Sequence, residues 1–164
     1  MKKILLIGGL VLMSSEVWGQ AKEIKLATIA PAGSSWDKIT NAINEDLKTR
    51  SEGKLAFRIY PGGTQGDEKD VVRKMRIRQI HAGGFTGNGL GQIASEIRVL
   101  ELPFLYENPS EIDYVREKVR EEMEGHLAKG NPPVVLLGWA EAGLVYIYSN
   151  KPIRKLEDLR GIKI

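Results

Sequence analysis

The sequence predicts an α/β fold in which a mainly parallel sheet is flanked by helices. Strand-like and helix-like segments alternate along the first half of the chain, and parallel strands need such helical crossovers between them. The hydrophobic share of 42% and the charged share of 27% are typical of a globular domain with its own core. The chain contains no cysteine, so this core is expected to form without disulfides.

The first 21 residues are predicted to form a secretory signal peptide. Lys2 and Lys3 precede an apolar run at residues 4–13, and small residues follow, with cleavage expected near residues 19–21. A buried N-terminal helix is the alternative, but the run has no polar face and begins directly behind the two lysines. We therefore expect an exported protein that resides in a bacterial periplasm.

Three strands and two connecting helices are predicted before residue 90. The strands are apolar or alternating runs bounded by glycine and proline, at residues 24–30, 54–60 and 80–86. Ser34 can cap the first helix, and Gly53 ends it. The second helix is expected from about residue 67 to 78. The first helix carries apolar residues at helical spacing, which predicts an inward-facing stripe of Trp36, Ile39, Ile43 and Leu47.

The second half is predicted to contain one long helix and several strands. Ser110 can cap this helix, acidic residues follow in its first turn, and Gly130 lies beyond its end. The apolar residues of the helix form one stripe, Ile112, Val115, Val119, Met123 and Leu127. Strands are expected at residues 99–102, 134–139 and 144–148, and a short helical turn at 156–159. Residues 162–164 begin another alternating run, from which we expect a further strand and a natural protein that continues.

A ligand site is expected at the carboxyl ends of the parallel strands, because ligands of open α/β sheets bind in the crevice at that edge. The loops there cover residues 30–36, 61–66 and 86–91. They are rich in glycine, serine, threonine and asparagine, which offer backbone N–H groups and small polar side chains. The first of these loops also opens a helix, whose positive dipole end would attract an anion.

Residue patterns typical of metal, cofactor or catalytic sites are sparse. His81 and His126 lie far apart in a chain without cysteine, so no metal site is expected. Neither a Gly-x-Ser-x-Gly motif nor a phosphate-binding P-loop occurs. Gly89, Gly91 and Ala94 match a loose dinucleotide fingerprint, but the match follows the third strand rather than the first. A net charge of +3 gives no nucleic-acid footprint. We therefore expect no catalytic residues, no cofactor and no nucleic-acid partner.

Glu141 is the carboxylate whose surroundings make it a candidate site residue. It lies between Trp139 and the apolar residues 144–148. Because an unpaired charge is costly in apolar surroundings, we expect this acid to have a specific role.

Seven sequence blocks occur in an order and spacing that cover nearly the whole chain after residue 24. They are residues 25–36 (KLATIAPAGSSW), 59–63 (IYPGG), 66–68 (GDE), 102–106 (LPFLY), 137–139 (LGW), 149–153 (SNKPI) and 156–164 (LEDLRGIKI). In these blocks the sequence resembles the solute-binding proteins of TRAP transporters, the DctP type.

The resemblance implies one lobe of a two-lobed periplasmic binding protein of the second type, with the second lobe missing. Residues 1–21 would be the signal peptide, residues 22–141 lobe 1, and residues 142–164 the crossing strand and the start of lobe 2. Such a receptor captures a small organic, carboxylated solute between its lobes and delivers it to integral-membrane TRAP permease subunits. The resemblance implies no catalytic residues and no cofactor.

The resemblance also implies which residues contact the solute. The family's main ligand-binding arginine would follow Ile164, and a second basic position of well-known members falls on Val145 here. This departure argues against a simple acid held by two arginines. The residues that we expect to face the cleft are Ser35, Trp36, Phe85, Thr86, Asn88 and Glu141.

Four of these six candidates also have a structural interpretation. Trp36 can be the first residue of an inward stripe, and Ser35 can be an alternative N-cap. Asn88 can be a turn residue with positive φ, and Phe85 can be buried in the sheet. For the chain as a whole, the alternatives to a transport receptor are a periplasmic ligand-sensing domain and an enzyme on a related two-lobed fold.

Overall fold

The computed structural model describes residues 22–103, 105–141, 143 and 148–162. The strands are β1 (Lys22–Thr28), β2 (Leu55–Tyr60) and β3 (Ala82–Gly84). The α-helices are α1 (Ser35–Arg50), α2 (Glu68–Arg76), α3 (Gly87–Leu90) and α4 (Pro109–Lys129). Two 3₁₀ helices cover Ser95–Glu101 and Leu156–Leu159. The predicted signal peptide lies outside the described residues.

The three strands form one parallel sheet in the order β2-β1-β3. Lys22 of β1 is paired with Leu55 of β2, and Thr28 of β1 with Gly84 of β3. Helices α1 and α2 provide the crossovers between these strands. The sheet confirms the predicted parallel α/β class and the order of its first five elements.

Helix α1 begins where the sequence predicts but presents a different face to the sheet. The Ser34 hydroxyl accepts a hydrogen bond from the Asp37 amide at 3.3 Å, which confirms the predicted cap. The predicted inward stripe is wrong at Ile39 and Ile43, whose exposed fractions are 50% and 54%. The buried residue of α1 is instead Asn44.

Asn44 is buried because it completes the hydrogen bonding of an edge strand. Its side chain accepts from the Phe57 amide at 2.6 Å and donates to the Phe57 carbonyl at 3.2 Å. Ser51 does the same for Leu55, whose amide donates to the serine hydroxyl at 2.9 Å. In the sheet of the described residues β2 is an edge strand, and α1 satisfies polar groups on its outer side that β1 does not reach.

The hydrophobic core lies between α2, α4 and the segment that joins them. Val72, Ile93, Ala94, Ile97, Met123 and Leu127 form one buried cluster, and Ala27, Val71 and Ile80 form a second. Adjacent residues of α2 therefore contribute to both clusters. Met75 packs against the second cluster, so Val71, Val72 and Met75 all face inward from α2. Met123 and Leu127 confirm the core-facing stripe of α4.

Two boundaries in the middle of the chain differ from the predictions. The predicted strand at residues 99–102 is wrong, because Ser95–Glu101 is a 3₁₀ helix that buries Ile97. Helix α4 is capped by Asn108, not by Ser110. The Asn108 side chain accepts from the Glu111 amide at 3.2 Å, and Pro109 occupies the first helical position, where its missing N–H costs nothing.

Residues 134–139 alternate as a strand would but pair with no strand of the described chain. Val134, Leu136 and Trp139 pack against the core, whereas Val135 and Leu137 are 83% and 84% exposed. The predicted strand is therefore not formed, because a strand requires a hydrogen-bonded neighbour.

The predictions near the C-terminus have different outcomes. The predicted turn at 156–159 is confirmed as a 3₁₀ helix. Most of the predicted strand 144–148 lies outside the described residues, as do Val145 and residues 163–164. Within the described part of the chain, no helix is both long and apolar enough to cross a membrane.

Candidate functional site

The carboxyl ends of β1, β2 and β3 lie at one edge of the sheet because the strands are parallel. The loops that leave this edge cover residues 29–34, 61–67 and 85–86, and we call them, together with Gly87 at the start of α3, the mouth. This edge is where the sequence places the ligand site, as the topology of open α/β sheets requires.

The first two loops of the mouth are joined by backbone hydrogen bonds. The Gly62 amide donates to the Ala30 carbonyl at 2.8 Å, and the Gly63 amide donates to the Thr28 carbonyl at 3.0 Å. Both glycines have positive φ values, 63° and 69°. Two successive residues in this conformation favour glycine, which explains the Pro-Gly-Gly turn after β2.

The third loop is fastened to the second by the side chain of Glu68. This acid is only 7% exposed and is the first residue of α2. One carboxylate oxygen accepts from the Thr86 amide at 2.5 Å, and the other accepts from the Thr86 hydroxyl at 2.7 Å. Its position at a helix start favours a negative charge. Among the described residues, no cation forms an ion pair with it.

A second carboxylate holds the next amide of the same loop. Glu101, at the end of the 3₁₀ helix, accepts from the Gly87 amide at 2.5 Å. The amides of Thr86 and Gly87 are therefore both occupied by acids of the chain itself. This loop has no need of a bound anion to satisfy them.

Phe85 attaches the third loop to the hydrophobic core. It packs against both core clusters and is half-buried. Gly89 lies close beneath it, since a Cβ there would be 2.8 Å from the Phe85 ring and 2.7 Å from the Glu68 Cδ. The loop therefore requires a residue without a side chain at position 89, where the ring and the carboxylate meet.

Ser35 and Trp36 are the first two residues of α1, which follows the loop after β1. Ser35 is exposed at the first helical position, directly after the cap, and Trp36 is half-buried. An acid of the chain already lies at this helix start, since the Asp37 carboxylate accepts from the Gly33 amide at 2.8 Å. That acid reduces the attraction of the helix start for a second anion.

Thr86 is exposed on the third loop and Asn88 on α3, and the neighbouring loop of the mouth is the one that leads into α1 and Ser35. Asn88 does not have the positive φ of a turn residue, because the described non-glycine residues with positive φ are Glu52 and Arg78. Glu141 is exposed on the extended segment after α4 and makes no hydrogen bond or ion pair with the rest of the described chain. The mouth thus includes or borders five of the six predicted site residues, and Glu141 lies on a different segment.

Glu68 and Glu101 were not predicted as parts of the site. An acid in the first turn of a helix is expected on any helix for electrostatic reasons, so Glu68 gives no distinguishing signal. Its partner Thr86 lies 18 residues away along the chain, a separation that no local pattern reports.

Among the clefts in the described part of the chain, one has a volume of about 310 Å³ and another about 360 Å³. The first lies between Tyr106 and the first turns of α4, where burial raises the pKa of the Tyr106 phenol. The second lies near Ser149 and Leu159. Neither is lined by a residue of the mouth. In the part of the chain that the structure describes, no three histidine, aspartate or glutamate side chains converge as metal ligands would.

A parallel α/β lobe with interlocked polar loops at its carboxyl edge has the architecture of a ligand-binding lobe. The chain belongs to the bacterial extracellular solute-binding proteins, family 7, the DctP family, which matches residues 26–164. This match confirms the family that the sequence blocks indicate.

Individual relatives agree with this assignment. A solute-binding protein of Chromohalobacter salexigens is 22% identical over 99% of this chain and 48% of its own length. The TRAP periplasmic solute-binding protein of Pseudomonas putida F1, solved with bound D-glucuronate, is 26% identical with a TM-score of 0.77, over 85% of this chain and 46% of that one. The corresponding Citrobacter koseri protein, also with D-glucuronate, is 26% identical with a TM-score of 0.76, over 84% and 46%. The chain spans about half the length of these relatives.

Proposed function

We propose that this chain is the solute-capturing part of a periplasmic receptor for a TRAP transporter, and that its solute is a sugar acid. The family match over residues 26–164 carries this proposal, together with a mouth at the edge of the sheet where such a site belongs. The receptor delivers the captured solute to the integral-membrane permease subunits of the transporter.

The polar groups of the mouth suit a hydroxyl-rich solute. Thr86, Asn88 and Ser35 are exposed there, and each has a side chain that forms hydrogen bonds with sugar hydroxyls. The P. putida and C. koseri relatives hold D-glucuronate, a sugar that combines hydroxyls with one carboxylate. A solute of this class therefore fits both the relatives and the mouth.

The carboxylate of such a solute needs a cation that the mouth does not supply. Three charged side chains that hold the mouth together are acids, Asp37, Glu68 and Glu101. A cation that contacts the mouth, Lys74, already donates to the Gln65 carbonyl and side chain at 2.8 and 3.0 Å. Like charges repel, so the acid end of the solute is directed away from this edge. The opposing surface is the arginine-bearing lobe that the family resemblance implies, beyond residues 142–164.

We also propose that the protein binds its solute without converting it chemically. The candidate residues have hydroxyl, amide and aromatic side chains, and Glu141, the one acid among them, is apart from the others. We therefore assign residues 22–141 to a binding lobe of an exported, periplasmic protein rather than to an enzyme.

A thermal-shift assay on the complete gene product tests the function. D-glucuronate and D-galacturonate should raise Tm, because a ligand that binds only the folded state stabilises it, while D-glucose should have a much smaller effect. Mass spectrometry of the incubated sugar acid should recover it unchanged. A Tm that no sugar acid moves would refute the proposed solute class, and turnover of the sugar would favour the enzyme alternative.

A further inference from the structure

The hydroxyl of Thr86 has a fixed hydrogen-bonding direction. It donates its proton to Glu68 at 2.7 Å, and the Thr86 side chain is otherwise exposed at the mouth. A threonine hydroxyl has one proton to donate and two lone pairs that accept. With the proton engaged, the outward side of this oxygen offers acceptor capacity alone.

The carboxylate that takes the proton is itself fixed. Its other oxygen accepts from the Thr86 amide at 2.5 Å, and the side chain is 7% exposed at the start of α2. Gly89 leaves no spare room beside it, since a Cβ there would lie 2.7 Å from the Glu68 Cδ. An ionised carboxylate can only accept, so it cannot return a proton to the threonine oxygen.

We infer that Glu68 is a positioning residue that makes Thr86 a hydrogen-bond acceptor toward the solute. This corner of the mouth then selects a hydrogen-bond donor, such as a sugar hydroxyl, and rejects a carboxylate oxygen. The inference rests on the proposed function and adds to it the polarity of one contact and the residue that sets it.

Glu68→Gln ends this acceptor-only state while nearly preserving shape. The glutamine must turn its carbonyl oxygen toward the Thr86 amide, because two N–H donors cannot face each other. Its NH₂ group then donates to one lone pair of the Thr86 oxygen, and the hydroxyl proton turns outward, where it opposes a donor of the solute. D-glucuronate binding to the complete gene product, measured by isothermal titration calorimetry, should weaken about tenfold, the loss of roughly one hydrogen bond.

Glu111→Gln is the matched control. It removes the same charge from another acid in the first turn of a helix, outside the mouth, whose carboxylate accepts from the Glu107 amide at 2.9 Å, and the glutamine oxygen can still accept that bond. No hydroxyl of the described chain donates to this carboxylate, so Kd for D-glucuronate should stay within about twofold of wild type. An equal loss in both variants would mean that charge alone matters, which would overturn the inference.

Substitutions at Thr86 provide a second test that leaves Glu68 in place. Thr86→Ser keeps the hydroxyl and should bind as wild type, whereas Thr86→Val removes it and should lose about tenfold. Glu68→Gln added to Thr86→Val should cause no further loss of affinity, because the two residues act through one oxygen. Thr86 is exposed, so these variants should fold, and their Tm without solute checks this.

The outcomes separate the two proposals. If wild type binds D-glucuronate and both Glu68→Gln and Thr86→Val bind equally well, the inference is wrong and the proposed function stands. If wild type binds neither D-glucuronate nor D-galacturonate, the proposed function fails and the inference falls with it.

Discussion

The outer edge of β2 and the mouth each contain one polar side chain that the fold buries. Asn44 and Glu68 are both 7% exposed, and each forms hydrogen bonds with a single residue of another element. Asn44 holds the backbone of Phe57, and Glu68 holds the amide and hydroxyl of Thr86. The two sites differ in charge and in what lies outside them.

At the β2 edge, a neutral amide satisfies one donor and one acceptor of a strand that has no neighbour on that side among the described residues. At the mouth, an acid satisfies two donors, one of which belongs to an exposed side chain. Burying a carboxylate costs more than burying an amide. The comparison indicates that Asn44 serves stability, whereas Glu68 also sets the chemistry of an exposed group.

The largest effect is expected from crowding the mouth. In Gly89→Ala, the new methyl group would overlap Glu68 and Phe85, both of which are held in place. We expect a loss of about 3 kcal/mol in the free energy of unfolding, measured in urea, and weaker D-glucuronate binding. The control Gly125→Ala, on α4, adds a methyl group that meets nothing within 4 Å and should not destabilise the protein. Equal losses in the two variants would contradict the close packing around Glu68.

The next largest effect is expected at Asn44, where a substitution should lower the free energy of unfolding without changing solute binding. Asn44→Ala leaves the Phe57 amide and carbonyl without their partner, and we expect a loss of about 2 kcal/mol in the free energy of unfolding. Asn41→Ala is the control on the same helix, where the exposed side chain bonds only to Asp37. Kd for D-glucuronate should not change in either variant. If Asn44→Ala is fully folded and still binds D-glucuronate more weakly than wild type, the claim that Asn44 serves stability alone is wrong.

The smallest effect is expected at an exposed acid. The pKa of Glu96 is lowered, first by a hydrogen bond from its own backbone amide and then by the charge of His126. A lowered folded-state pKa contributes stability above the unfolded value of 4.5, and this contribution is lost as pH falls through the folded pKa. Glu96→Gln should therefore lower Tm slightly at pH 7 and leave it unchanged at strongly acidic pH. Glu121→Gln, at an exposed position of α4, is the control, and the same Tm difference at both pH values would contradict this account.

Local patterns in the sequence were sufficient for the order of elements in the first half of the chain. The Ser34 cap, the alternation in β2 and the stripe of α4 each depend on residues within a few positions of one another. The predictions are wrong where residues far apart in the sequence determine the local structure. Asn44 displaces Ile39 and Ile43 from the inner face because β2 needs hydrogen-bond partners, and residues 134–139 have no paired strand within the described chain.

The candidate site shows the same division. Topology alone places the mouth, and the family resemblance adds Thr86 and Asn88. Composition does not reveal that the Thr86 hydroxyl donates its proton to Glu68, because the two residues are 18 positions apart in the sequence. The role of a buried side chain is therefore visible only once the fold brings its partner close.

Backbone NMR of the complete gene product, titrated with D-glucuronate, tests the central claim most directly. If the mouth binds the solute, the amide signals of residues 33–36 and 86–88 should shift most. The amide signal of Phe57, at the β2 edge, should keep its position. Shifts concentrated at the clefts around Tyr106 or Ser149, with the mouth signals unmoved, would contradict it.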